Sequence, residues 1–129
     1  MAMANPIPSM VQPQREQLAS DLHEMKDAIL QRGWCRGTFE DDDGRLCAIG
    51  AATLVIFTAG QMEPDQLGNI GYVTEVQRLR FRAVHESVSH FAALEAGEQC
   101  PSRPLSGYND CASEKQVLGW IDKALAEVG

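Results

Sequence analysis

The sequence predicts an all-α fold: a compact four-helix domain with a small β-hairpin inserted between helices one and two. Apolar residues recur at helical spacing in three segments, and a fourth segment is apolar on every face. An acidic turn interrupts the helical pattern after the first of these segments. A chain of 129 residues, 44% of them hydrophobic, is sufficient for one core. We therefore expect a flexible N-terminal arm at residues 1–13 and a single globular helical domain at residues 14–129.

The first helix is predicted over residues 14–32. An apolar stripe with spacings of four, three and four residues runs through it at Leu18, Leu22, Met25 and Ile29. Such spacing places the side chains on one face of an α-helix. Gly33 follows the last apolar position and is the residue type that most often ends a helix.

A short hairpin is predicted next. Residues 41–44 read Asp-Asp-Asp-Gly, which is typical of a turn because Asp tolerates tight turns and Gly supplies positive φ. This turn separates residues 34–39 from residues 45–47, which we expect to pair as two short strands. A ribbon of two strands is stable only when it packs against other elements.

The second helix is predicted over residues 47–59, which are apolar or small at every position. A helix without a polar face is buried in the core, and this one is too short to cross a membrane. We expect it to be the most buried element of the domain. Gly60 ends it, and residues 60–71 are predicted to form a loop.

Two capping boxes mark the starts of the remaining helices. Thr74 with Gln77 begins a predicted helix over residues 74–96, and a Ser-x-x-Gln pattern begins another over residues 113–127. Residues 97–112 between them are rich in Pro and Gly. We expect a loop there, of a length that is often functional.

Charge and composition exclude several classes of protein. Eleven basic and 18 acidic residues give a net charge of −7, which argues against a nucleic-acid partner because phosphate binding relies on a basic surface. No apolar run is long enough to span a membrane, and the N-terminus lacks the pattern of a signal peptide. We expect a cytoplasmic protein with no membrane contact.

The cysteines are predicted to be free, mostly buried thiols that bind no metal; they are Cys35, Cys47, Cys100 and Cys111. Without a sign of secretion, a reducing compartment is expected. Eleven residues separate the first two cysteines and ten the last two, whereas zinc ligands usually pair at two to four. No cofactor is indicated.

Two familiar metal patterns fail on spacing. His85 and His90 are five residues apart, which places their rings about 140° apart on a helix rather than over one ion. An EF-hand register centred on Gly44 would place Phe39 and Gly50 at two ligand positions. We therefore expect neither a metalloprotease helix nor a calcium loop.

The residues around His90 favour a surface pair instead. Glu86 precedes His90 by four residues, a spacing that brings two side chains together on the same face of a helix. We expect these two side chains to interact at the surface of the predicted third helix.

A cysteine nucleophile is the enzymatic alternative. Cys47 opens the predicted second helix, where the helix dipole would lower the pKa of a thiol. His85, His90, Asn109 and Asp110 are the residues that could supply a base and its orienting partner. Against this, the residues after Cys47 are apolar, which favours burial.

Two segments carry a family resemblance. One is Arg-Gly-Trp-Cys-Arg-Gly at 32–37, followed after the acidic turn by Cys-Ala-Ile-Gly-Ala at 47–51, and the other is Tyr-Asn-Asp at 108–110, which leads into the last helix. Together they resemble a domain of unknown function found in small proteins of actinobacteria and their bacteriophages. The resemblance implies a compact helical domain of phage or actinobacterial origin. It brings no activity with it.

The favoured function is a small, acidic, cytoplasmic binding module, phage-encoded and not an enzyme, that docks on a host or phage protein. Its binding surface is predicted where the hairpin meets the long loop, at Trp34, Arg36, Asp41, Asp43, Tyr108, Asn109 and Asp110. Aromatic and arginine side chains are frequent anchors of interfaces, and the acidic hairpin tip would favour a basic partner. Taken singly, these residues favour structural roles, and a binding surface is the alternative for the set.

Overall fold

The computed structural model describes residues 12–57 and 74–128. Within these ranges the helices are α1 (Gln12–Arg32), α2 (Ala48–Ile56), α3 (Glu75–Glu95), α4 (Leu105–Asp110) and α5 (Glu114–Val128). The predicted arm, except for its last two residues, and the predicted loop at residues 60–71 lie outside the described residues. None of the described helices is both long and apolar enough to cross a membrane.

The helical character of the fold is confirmed, but the inserted β-hairpin is wrong. The described part of the chain contains no β-strand, and only two isolated bridges join Leu46 to Trp34 and to Glu40. The bridge to Trp34 is parallel and the bridge to Glu40 is antiparallel. Because a single residue pairs on both sides, the segment closes on itself as a loop and no ladder of two strands forms.

The predicted count of four helices is also wrong, because α4 forms inside the segment expected to be a loop. This helix has only six residues and follows Pro104. Its buried residues Leu105, Tyr108 and Asn109 lie at helical spacing, which is the signal that could have revealed it. A segment of six residues that contains Gly107 is too short for its helical periodicity to be recognised in the sequence.

The predicted core is confirmed in α1 and α2. The stripe of α1 is at most 2% exposed and consists of Leu18, Leu22, Met25 and Ile29. Seven of the nine residues of α2 are buried. That helix ends at Ile56, with Phe57 as its C-cap, rather than at residue 59. Burial of these apolar faces against each other and against α3 supplies the main driving force for folding.

Both predicted capping boxes are present. The Thr74 side chain accepts from Gln77 N, and the Gln77 side chain accepts from Thr74 N. Ser113 and Gln116 make the same reciprocal pair at the start of α5. These bonds satisfy amide groups that have no partner inside the helix, and they fix where α3 and α5 begin.

Candidate functional site

Residues 33–41 form a closed loop between α1 and α2, which we call the Trp34 loop. Near its start, Cys35 N donates to Leu46 O at 3.1 Å; near its end, Phe39 O accepts from Cys47 N at 3.2 Å. Both arms of the loop therefore bond to the same short stretch of chain that leads into α2. The backbone of the loop is fixed before any partner binds.

Gly50 allows this loop to lie directly on α2. A Cβ atom at Gly50 would come within 2.0 Å of the carbonyl oxygen of Phe39. No side chain fits there, so the close approach of loop and helix depends on glycine. The small residues at the start of α2 therefore make room for the backbone of the loop.

Asn109 connects the Trp34 loop, α2 and α4 through one fully buried side chain. Its Oδ1 accepts from Trp34 Nε1 at 2.8 Å and from Ala48 N at 3.1 Å. Its Nδ2 donates to Cys35 O at 3.2 Å. The amide of Ala48 is in the first turn of α2 and has no partner within that helix, so Asn109 serves as a distant cap.

Asp110 fixes the outer part of the same loop. Its Oδ1 accepts from Gly37 N at 2.8 Å, and Gly37 has a φ of 83° that favours glycine. Asp110 does not cap α5, because Ser113 is the residue whose side chain accepts from Gln116 N at the start of that helix. The Asp110 carboxylate therefore bonds the loop. The Asn-Asp pair thus holds the Trp34 loop at two points.

Arg36 lies on the indole ring of Trp34. Its guanidinium carbon is 5.2 Å from the ring centroid, a cation–π geometry, and the side chain is exposed. Within residues 12–57 and 74–128, every other arginine has an ion-pair or hydrogen-bond partner. Arg36 alone among these arginines has neither, so its guanidinium edge remains available for an external group.

The acidic turn at residues 41–43, where the Trp34 loop ends, has its own counterion in Arg45. Asp41 Oδ1 accepts from the backbone amides of Asp43 and Arg45, and its Oδ2 lies 2.6 Å from Arg45 Nε. Although desolvation opposes the shift, these hydrogen bonds hold the pKa of Asp41 below its ordinary value. Asp43 also lies 3.4 Å from Arg45. Two of the three carboxylates of this turn therefore pair with Arg45, which weakens the expectation that the turn selects a basic partner, and the exposed Asp42 is the third.

Tyr108 makes its polar contacts elsewhere. Its hydroxyl donates to the carboxylate of Glu98 and accepts from Ser102 N at 2.9 Å, and the residue is 4% exposed. The bond from Tyr108 is the main reason that the pKa of Glu98 is lowered. Arg103 stacks on the Tyr108 ring at 5.0 Å. Of the predicted site residues, the contacts join Trp34, Arg36, Asn109 and Asp110, whereas the other three are engaged with different neighbours.

Cys47 does not have the properties of a nucleophile. Its Sγ caps α2 by accepting from Gly50 N at 3.3 Å. Burial raises the pKa of this thiol to about 11, which outweighs the lowering effect of the helix amides. A thiol with this pKa is protonated near neutral pH, and only a thiolate attacks.

The histidines that could act as its bases have other partners. His85 Nε2 accepts from Leu105 N at 3.3 Å, at the start of α4, and burial lowers the pKa of this imidazole. His90 packs edge-on against Phe91, with ring centroids 5.0 Å apart. The predicted surface pair of Glu86 with His90 is wrong, because Glu86 pairs with Arg82 at 3.1 Å.

The cysteines divide into two kinds. Cys35 and Cys47 are buried, whereas Cys100 and Cys111 are exposed, so the expectation of mostly buried thiols is wrong for half of them. The thiol of Cys35 donates to Arg45 O at 3.2 Å. Over the described ranges, no cluster of three His, Cys, Asp or Glu residues is arranged to hold a metal ion.

A groove between α1 and α3 encloses about 480 Å³. Its charged residues are already paired: Asp21 with Arg80 at 2.8 Å, and Arg82 with Glu86 at 3.1 Å. Leu79 is 51% exposed on its rim. Because these four charged side chains pair with one another, the groove is a weaker candidate site for a charged ligand than the Trp34 loop is.

The described residues form a small helical domain in which Asn109 and Asp110 hold the Trp34 loop by hydrogen bonds. Arg36 on this loop is exposed and has no internal ion-pair or hydrogen-bond partner. The chain belongs to a family of unknown function: the family model described as "Family of unknown function (DUF6197)" matches residues 13–127. This match confirms the predicted membership of a domain of unknown function and includes the Trp34 loop and α4. No curated protein and no solved structure matches the chain.

Proposed function

We propose that this protein is a small acidic binding module that docks on another protein through the Trp34 loop, with Arg36 at the centre of the contact. The observation that carries this proposal is the environment of Arg36. The side chain is exposed and stacked on Trp34, and it is the one arginine of the described residues without an internal ion-pair or hydrogen-bond partner.

Preorganisation supports the proposal. The Trp34 ring is held by its bond to Asn109, and the backbone beside Arg36 is held by Asp110. Ordering a long side chain at an interface costs about 0.5–1.5 kcal/mol, and part of that cost is met in the free protein when the side chain already rests on a fixed ring. Trp and Arg are also the residue types that most often dominate binding energy.

A binding role is favoured over the thiol-dependent enzyme. The candidate nucleophile Cys47 is buried and protonated, and the candidate base His85 is bonded to the backbone of α4. The described polar groups around the Trp34 loop hold the loop in place. An exposed cation on a rigid support is suited to recognition.

The proposed setting is the cytoplasm of an actinobacterium, with the protein encoded by a bacteriophage and its partner a host or phage protein. The motif resemblance around Trp34, Cys47 and Asn109 supports this origin. The net charge of −7 fits a partner other than nucleic acid.

Affinity capture from host lysate tests the proposal with three baits: wild type, Arg36→Ala and Arg82→Ala. Arg82 is a matched control because it is an exposed arginine that pairs on α3 with Glu86. A partner retained by wild type and Arg82→Ala but lost from Arg36→Ala supports the Trp34 loop as the docking surface. Identical capture by all three baits, with equal folded stability, contradicts it.

A further inference from the structure

We infer that the group recognised by Arg36 is a carboxylate on an acidic peptide segment of the partner. This inference rests on the proposed function. The other two arginines beside the Trp34 loop are neutralised from within: Arg32 lies 2.7 Å from Glu40, and Arg45 lies 2.6 Å from Asp41. A carboxylate of the partner would give Arg36 the same kind of ion pair that Arg32 and Arg45 make within the chain.

Arg36 lies over the ring of Trp34, with its guanidinium carbon 5.2 Å from the ring centroid. A guanidinium is planar and carries its donors along its edge, so one face can rest on an aromatic ring while the edge remains free. A carboxylate is planar and accepts two parallel hydrogen bonds from that edge. An exposed guanidinium that has no internal partner and lies over the Trp34 ring is suited to bidentate recognition of Asp, Glu or a chain terminus.

The chain's charge favours a carboxylate over a nucleic-acid backbone. Binding to a phosphate backbone depends on several cations acting together, and this chain has a net charge of −7 with one unpaired arginine at the loop. A single carboxylate needs only one well-placed guanidinium. The recognised segment is therefore expected to be short, with one acidic anchor residue.

Arg103 provides an internal comparison. It stacks on Tyr108 at 5.0 Å, much as Arg36 stacks on Trp34 at 5.2 Å. Arg103, however, has a carboxylate oxygen of Glu98 at 4.0 Å, and the sulfur of Cys111 lies 3.8 Å from its Nη1. The two arginines share an aromatic support and differ in whether a carboxylate is already present, so Arg103→Ala is the matched control.

The experiment is selection of a displayed library of random linear peptides on the wild-type protein, followed by measured dissociation constants for the enriched peptides. We expect an excess of Asp and Glu among them. Arg36→Ala should weaken their binding at least about tenfold, whereas Arg103→Ala should leave it within about twofold. Amide hydrogen exchange should show protection at residues 34–38 in the complex.

The outcomes separate this inference from the proposed function. Peptides that protect residues 34–38 but lack acidic residues, or that are basic and depend on Asp42, overturn the carboxylate inference and leave the binding module in place. Enrichment of an oligonucleotide over peptides in a parallel selection also overturns it. Selected peptides that leave residues 34–38 unprotected, or no enrichment at all, also overturn the carboxylate inference, whereas the proposed function is decided by the capture experiment with the Arg36→Ala bait.

Discussion

Trp34 and Asn109 lie 75 residues apart in the sequence, and the indole Nε1 of Trp34 donates a 2.8 Å hydrogen bond to Oδ1 of Asn109. The same oxygen accepts from Ala48 N, so one amide side chain orders the Trp34 loop and caps a core helix. A structural role and a binding role for these residues are therefore compatible. Asn109 holds the Trp34 ring by a hydrogen bond, and Arg36 lies over that ring.

Replacement of Asn109 by Ala should destabilise the protein by about 3 kcal/mol. The change removes partners from two donors and one acceptor, and buried polar groups without partners are costly. Chemical denaturation measures the free energy of unfolding. Asp110→Ala is the control, because it removes one exposed bond and should cost about 1 kcal/mol or less. Equal losses for the two variants would contradict the central position of Asn109.

Gly50→Ala should destabilise the fold by about 1–3 kcal/mol or more, because the new methyl group meets the Phe39 carbonyl at 2.0 Å. Gly119→Ala is the matched control. Gly119 lies within α5, and a methyl group added there meets no atom within 4 Å, so alanine should stabilise that helix by about 0.5–1 kcal/mol. Thermal melts of both variants give opposite shifts if the loop rests on α2 as described.

Stability should fall on mild acidification through His85. Burial lowers its pKa in the folded protein, so below the ordinary value of 6.5 the unfolded chain binds more protons than the folded one. The free energy of unfolding therefore decreases as the pH drops below 6.5. Protonation of Nε2 also removes the acceptor for Leu105 N. His85→Gln should flatten the decline measured by denaturation across this range, and exposed His23→Gln should retain it.

Thiol alkylation should distinguish the two kinds of cysteine. Cys100 and Cys111 are exposed and should react with a maleimide in the native state near neutral pH. Cys35 and Cys47 are buried with raised pKa values, so they should react only after unfolding. Intact mass spectrometry is expected to give two adducts before denaturation and four after it. Rapid labelling of Cys47 in the native protein would contradict this prediction and would support the alternative that Cys47 is a nucleophile.

Sequence patterns predict those features that depend on neighbouring residues. The stripe from Leu18 to Ile29 and the two capping boxes are local, and their helices form where periodicity indicates. The pairing of Leu46 with both arms of the Trp34 loop depends on long-range closure, which local turn propensity does not encode. The Asp-Gly turn is therefore correctly predicted, and its extension into two strands is wrong.

The candidate site is predicted in part for the same reason. The motif resemblance groups Trp34, Arg36 and Asn109, and their side chains are indeed connected. The same resemblance includes Tyr108, but its hydroxyl bonds Glu98 and Ser102. Which charges are already neutralised depends on side-chain geometry, so sequence patterns alone give the acidic tip more weight than Arg36.

The binding role of Arg36 is tested most directly by titrating the captured partner, once purified, into wild-type protein and Arg36→Ala, with the thermal midpoint of each measured in parallel. We expect the dissociation constant to rise at least about tenfold in the variant, because a central arginine anchor is lost. The thermal midpoint should fall by only a few degrees, because Arg36 loses one exposed cation–π contact of about 0.5–1 kcal/mol and no internal ion pair. Unchanged affinity at equal folded stability would contradict the Trp34 loop as the binding surface.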